Sequence, residues 1–103
     1  MTTTLLIVED DDGLRASLAR LFQRKGHEVI EASRASEAMR LLRERSIDLV
    51  LLDIQLPDGS GLDVLAAARD LDDEILVIMM TAFPEVKTAV QAMKAGARDF
   101  IIK

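Results

Sequence analysis

Five short apolar runs punctuate the chain, near Thr4–Val8, Glu28–Ile30, Leu49–Asp53, Ile75–Met79 and Asp99–Ile102. Three of them are apolar nearly throughout, the pattern of strands buried on both faces of a sheet rather than half-exposed to water. The segments between them change period. Leu14, Leu18, Leu21 and Phe22 form one helical stripe, Ala35, Ala38, Met39 and Leu42 a second, and Val86, Ala89, Val90 and Met93 another, each expected to face the core. Gly26 and Gly96 stand where helix C-terminal glycines belong, and Pro84 where a first-turn proline is tolerated. Ser60 with Asp63 has the spacing of a capping box and opens a further helix from Gly61 to about Arg69. Strand and helix therefore alternate from end to end. That order predicts an α/β fold with right-handed crossovers, a five-stranded parallel sheet and helices on its faces.

In an open parallel sheet, ligands bind beyond the carboxyl ends of the strands, where the strand order reverses. By that rule, residues far apart in sequence share one edge. Glu9 and Asp10 follow the first strand, Asp53 closes the third, Thr81 and Ala82 follow the fourth, and Lys103 follows the fifth. An acidic run such as Glu9–Asp12 is usually a solvated turn, and an aspartate there often caps a helix. Asp53 fits neither description, because it ends an apolar strand and the next helix is too distant to need it. Three carboxylates gathered in one cleft raise each other's proton affinity unless a cation neutralises them. All-oxygen ligands suit Mg²⁺, whereas a chain with no cysteine and one histidine is a poor zinc site. His27, in the turn before the second strand, reads as a surface residue.

Composition narrows the partners. With 103 residues, 50% of them hydrophobic, the chain is large enough for one domain and too small for two. A net charge of -5, spread along the chain, argues against direct contact with nucleic acid or an anionic membrane and favours a cation or a protein as ligand. The lack of cysteine excludes a disulfide framework, and no apolar run approaches a membrane span or signal core. A cytoplasmic protein is the simplest expectation.

The segments VEDD, LLDIQLPDGSG, MTA and DFIIK, in this order and spacing, resemble the receiver domain of bacterial two-component response regulators over essentially the whole chain. That resemblance implies a flavodoxin-like doubly wound sheet of order 2-1-3-4-5. It makes Asp53 the nucleophile that accepts a phosphoryl group from a sensor histidine kinase. Asp10 and Asp53 would hold Mg²⁺ through their carboxylates, with the Gln55 backbone carbonyl as a third ligand and Glu9 acting mainly through water. Lys103 would supply the ammonium that stabilises charge in transfer. Thr81 would be the switch hydroxyl, with the Ala82 N–H approaching the same phosphoryl group. Phe100 matches the switch aromatic, although a core phenylalanine is the competing reading. Phe83, two residues after Thr81, is expected to obstruct the path of hydrolytic water.

Other classes fit less well. A flavin phosphate would be repelled by EDDDG, and the glycine fingerprint of dinucleotide binders is missing. A Mg-dependent aspartate-nucleophile phosphatase would carry a second acid two residues after the nucleophile, where this chain has Gln55. Within the receiver family, TAVQAMKAGARDF resembles nitrogen-regulator-type enhancer-binding activators, so the expected output is transcription regulation, with a stand-alone phosphorelay receiver as the alternative. The partner downstream is then either an output domain on the same chain or another protein, with a homodimer as one arrangement. Receivers ordinarily continue past this lysine into a fifth helix. Residues 1–103 are therefore expected to form one receiver domain truncated after its fifth strand, or one whose bare sheet face is covered by a neighbouring chain.

Overall fold

The computed structural model describes residues 3–83 and 85–103. The proline expected in a first helical turn, Pro84, lies outside the described residues. The elements run β1 (Thr4–Val8), α1 (Asp12–Arg24), β2 (Glu28–Ala32), α2 (Ala35–Glu44), β3 (Leu49–Asp53), α3 (Gly61–Leu71), β4 (Leu76–Thr81), α4 (Val86–Lys94) and β5 (Asp99–Ile102). A small antiparallel pairing of Gln55–Leu56 with Gly59–Ser60 lies between β3 and α3. The five long strands form a parallel sheet of order β2-β1-β3-β4-β5, the flavodoxin-like arrangement expected from the sequence.

Strand alternation divides the core in two. Leu6, Val8, Val50, Leu52, Val77 and Met79 pack on one face with Ala38 and Leu42 of α2, Val64, Leu65 and Ala68 of α3, and Ala92 of α4. Ile7, Leu51 and Met80 pack on the other face with Ala19, Leu18 and Phe22 of α1. Each fully buried Leu, Ile or Val contributes about 1.5–3 kcal/mol relative to its exposed state, so the central strands β1 and β3 are the best-anchored part of the molecule. Their outer ends carry the acidic residues.

Several boundaries differ from the sequence expectation. β2 runs two residues further, to Ala32, and β4 spans Leu76–Thr81, so Thr81 ends the strand instead of following it. α3 continues to Leu71, and Ser60 caps it by accepting the Leu62 N–H at 3.1 Å, not the N–H of Asp63. The larger correction concerns α4. Its stripe is not wholly core-facing: Ala92 is buried and Ala89 half-buried, while Val86, Val90 and Met93 are 83%, 45% and 47% exposed. Small residues at Ala89 and Ala92 bring the helix close to the sheet and leave the larger apolar side chains outside. Leu21 of the α1 stripe is also exposed.

The glycine expectations hold where conformation demands them. Gly26 and Gly96 take φ of 91° and 105°, a region open to glycine and strained for other residues. Four helices are present among the described residues. On the α1 face, Leu76 and Ile101 remain half exposed at the β4–β5 side of the sheet.

Candidate functional site

The sheet brings its acidic ends together through register. Val8 pairs with Leu52 and Asp53 with Met80, so Glu9, Asp53 and Thr81 all emerge at the same edge. Beyond the ladder, the Lys103 N–H donates to Thr81 O at 2.8 Å and carries the fifth strand's lysine to that edge as well. The resulting cavity, about 310 Å³, is lined by Glu9, Asp10, Asp11, Asp53, Gln55, Thr81, Ala82, Phe83 and Lys103. Every site residue expected from the sequence is there except Phe100, which is half-buried and packs against the core of the α2–α4 face.

Two of the carboxylates are deeply buried, Glu9 fully and Asp53 at 4% exposure. Charges so placed need partners. Asp53 Oδ1 accepts the Gln55 N–H at 3.1 Å, and Oδ2 accepts from Lys103 Nζ at 2.8 Å. Glu9 Oε2 accepts the Asp11 N–H at 3.1 Å. Its other oxygen, Oε1, is buried and forms an ion pair with the Lys103 ammonium. One cation thus faces two buried anions. Burial works against the charge on Lys103, but its bonds to Asp53 and Glu9 prevail and raise the ammonium above its ordinary pKa. A hydrogen bond shared with Glu9, then burial and the Glu9 charge, raise the Asp10 carboxyl above its usual value.

Oxygens of Glu9, Asp10 and Asp53 all lie within 4.8 Å of one another. That spacing and the hard-oxygen donor set fit a divalent cation. Thr81, 3% exposed, accepts the Phe83 N–H on its hydroxyl oxygen at 3.0 Å, which leaves its own proton available to a ligand in the cavity. Phe83 is 70% exposed at the mouth, beside the site rather than packed under it.

The sequence allowed a helix-capping aspartate in the acidic run without singling out which, and gave no sign of a second contributor, Asp58. Asp11 lines the cavity and caps α1, accepting the Leu14 N–H at 3.0 Å. Asp58 caps α2 from another loop, accepting the N–H groups of Ala35 and Ser36 at 2.7 and 3.0 Å because Arg34, in the cap position, makes no side-chain cap. The Ser36 and Ala35 amides hold the Asp58 carboxyl below its ordinary pKa. This contact ties the loop after Asp53 to the start of α2.

The site is thus a lysine-paired, strand-end aspartate beside two further acids on a flavodoxin-like sheet. The family model for the response regulator receiver domain matches residues 5–103, and the chain belongs to that family. Its relatives include regulatory protein AtoC of Escherichia coli (strain K12), 38% identical over 96% of this chain. Response regulator protein PilR of Pseudomonas aeruginosa is 40% identical over 95%. The chain spans 22% of the length of each of these two proteins. Among solved structures, the CheY-like receiver domain protein of Methanospirillum hungatei JF-1 superposes with a TM-score of 0.97 at 31% identity, covering 100% of this chain and 82% of that one. A response regulator protein from Burkholderia pseudomallei, with a phosphorylated aspartic acid, a calcium ion and citrate, gives 0.93 at 30% identity, covering 98% of this chain and 59% of that one.

Proposed function

We propose that this receiver accepts a phosphoryl group from a sensor histidine kinase on Asp53, with Mg²⁺ as cofactor, and thereby switches an output concerned with transcription. The observation that carries the reading is the pairing of buried Asp53 with Lys103 beside Glu9 and Asp10. Asp10, Asp53 and the Gln55 carbonyl would hold the ion, with Glu9 acting through water. The ion's contribution would be to neutralise charge on the transferring oxygens. In the transfer, an Asp53 carboxylate oxygen forms the new O–P bond while the donor's P–N bond breaks and its electron pair leaves with the imidazole nitrogen. Lys103 and the Ala82 N–H stabilise the phosphoryl oxygens as negative charge spreads over them.

The acyl phosphate carries about -1.5 to -2 charges in place of the carboxylate's single one, and brings strong acceptor oxygens with it. Thr81 would then donate its hydroxyl proton to a phosphoryl oxygen and draw the following loop with it, with half-buried Phe100 following. The exposed apolar side chains of α4 adjoin that loop and give the switch a surface to alter. Phe83 at the mouth would shield the acyl phosphate from in-line water. The chain would catalyse only its own phosphorylation and dephosphorylation.

The phosphorylated aspartic acid and calcium ion of the Burkholderia protein support this reading by similarity. Relatives named as regulatory and response regulator proteins, much longer than this chain, support a role as one domain of a regulator. No helix among the described residues is long and apolar enough to cross a membrane, and a cytoplasmic location is part of the proposal.

Titrating Mg²⁺ into wild type, Asp10→Asn and Asp53→Asn tests the shared site. Each variant is expected to bind about tenfold more weakly or worse, since removal of an anionic oxygen ligand lowers site charge. Equal affinity in all three contradicts it.

A further inference from the structure

We propose that Arg15 is a positioning residue for the acidic pair: its guanidinium fixes the Glu9 carbonyl, and with it the peptide from which Glu9 and Asp10 enter the cleft. Nη1 donates to Glu9 O at 2.8 Å, Nη2 to Asp12 Oδ1 at 2.7 Å and Nε to Glu31 Oε1 at 3.3 Å. The side chain is 17% exposed, so these are not the loose contacts of a solvated arginine.

The need for such a contact follows from where β1 ends. Val8 is the last β1 residue paired with β3, and the Glu9 N–H still reaches Ala32 O on β2 at 3.0 Å. The Glu9 carbonyl lies past the ladder and has to find a partner elsewhere, because a backbone acceptor left unpaired is costly. Arg15, in the first turns of α1, supplies it. The peptide between Glu9 and Asp10 is a rigid plane, so rotation about its ends would swing the Asp10 carboxylate relative to buried Glu9. With its N–H held by β2, its carbonyl by Arg15 and its carboxylate by the Asp11 N–H, Glu9 has little freedom left.

The action is geometric rather than electrostatic. Asp12 and Glu31 neutralise the guanidinium, while the charged side chains with the largest effect on the Asp10 carboxyl are Glu9 and Lys103. A planar fork with several fixed donors suits this task, since one side chain can hold a carbonyl and two carboxylates at once.

The inference rests on the reading of the cleft as a divalent-cation site, and the test separates the two. Mn²⁺ is titrated into wild type, Arg15→Met, which keeps an apolar stem in place of the arginine's, and Glu31→Gln, which removes a charge but keeps an acceptor for Nε. Thermal midpoints are measured alongside. Arg15→Met is expected to bind Mn²⁺ about tenfold more weakly, the usual effect of losing a residue that orients a ligand. Glu31→Gln is expected to stay near wild type, even if both variants lose the same thermal stability. Affinity in Arg15→Met equal to wild type overturns the proposal, as does an equal loss in Glu31→Gln. Failure of the wild type itself to bind Mn²⁺ would remove the metal reading and this inference with it.

Discussion

Asp53→Asn is expected to take up no phosphoryl group from acetyl phosphate under conditions that label the wild type. The substitution is nearly isosteric, so the buried position can still be filled and the Gln55 N–H still find an acceptor at Oδ1. What disappears is the anionic nucleophile, because an amide cannot form the acyl phosphate. The expected effect is complete loss of incorporation, not a slower rate. Lys103 keeps Glu9 as an ion-pair partner in the variant, which limits the disturbance to the rest of the cleft. A folded Asp53→Asn chain that still incorporates phosphate would place the nucleophile elsewhere.

Gly61→Ala should be the most damaging of the glycine-to-alanine substitutions. A Cβ at Gly61 would stand 2.1 Å from Asp53 O, 3.0 Å from Asp53 C and 3.0 Å from Ile54 Cα, all of them backbone atoms. The Gly61 N–H also donates to Ile54 O at 2.7 Å, so α3 begins pressed against the backbone of Asp53 and Ile54. No side-chain rotation relieves that overlap. Either the α3 start or the Asp53 peptide must move, at about 3 kcal/mol or more. Chemical denaturation should show that loss, with metal affinity falling in parallel. Gly26→Ala is the comparison. Nothing lies within 4 Å of a Cβ there, and the cost is the left-handed backbone alone, about 1–2 kcal/mol. A Gly61→Ala chain as stable as Gly26→Ala would show that the Asp53 peptide is free to shift.

Much of this was legible in the sequence because a parallel sheet converts alternation into position. Once strands and helices alternate, Glu9, Asp10, Asp53, Thr81 and Lys103 must reach one edge, and the cavity they line follows. Periodicity could not say which side of α4 is covered. A stripe of Val86, Val90 and Met93 has the same spacing whether a neighbour lies over it or water does, and here the smaller Ala89 and Ala92 take the inner positions. The supporting contacts were hidden for a different reason. Asp58 caps a helix that begins 23 residues earlier, and Arg15 reaches a carbonyl six residues back and a carboxylate on the neighbouring strand. Such bonds have no period and appear only when the loops are in place. Asp11 sat in plain view within the acidic run, but four acids in succession do not announce which one caps the helix.

The central claim is that Asp53, aided by a divalent cation, is the residue that carries the phosphoryl group. The most direct measurement is to incubate the wild-type chain with acetyl phosphate, in Mg²⁺ or in excess EDTA, digest it under acid conditions that preserve acyl phosphates, and map the modification by mass spectrometry. The account predicts one phosphoryl group on the peptide containing Asp53 in Mg²⁺ and almost none in EDTA. Modification at another residue, or equal modification of Asp53 with and without the metal, would contradict it.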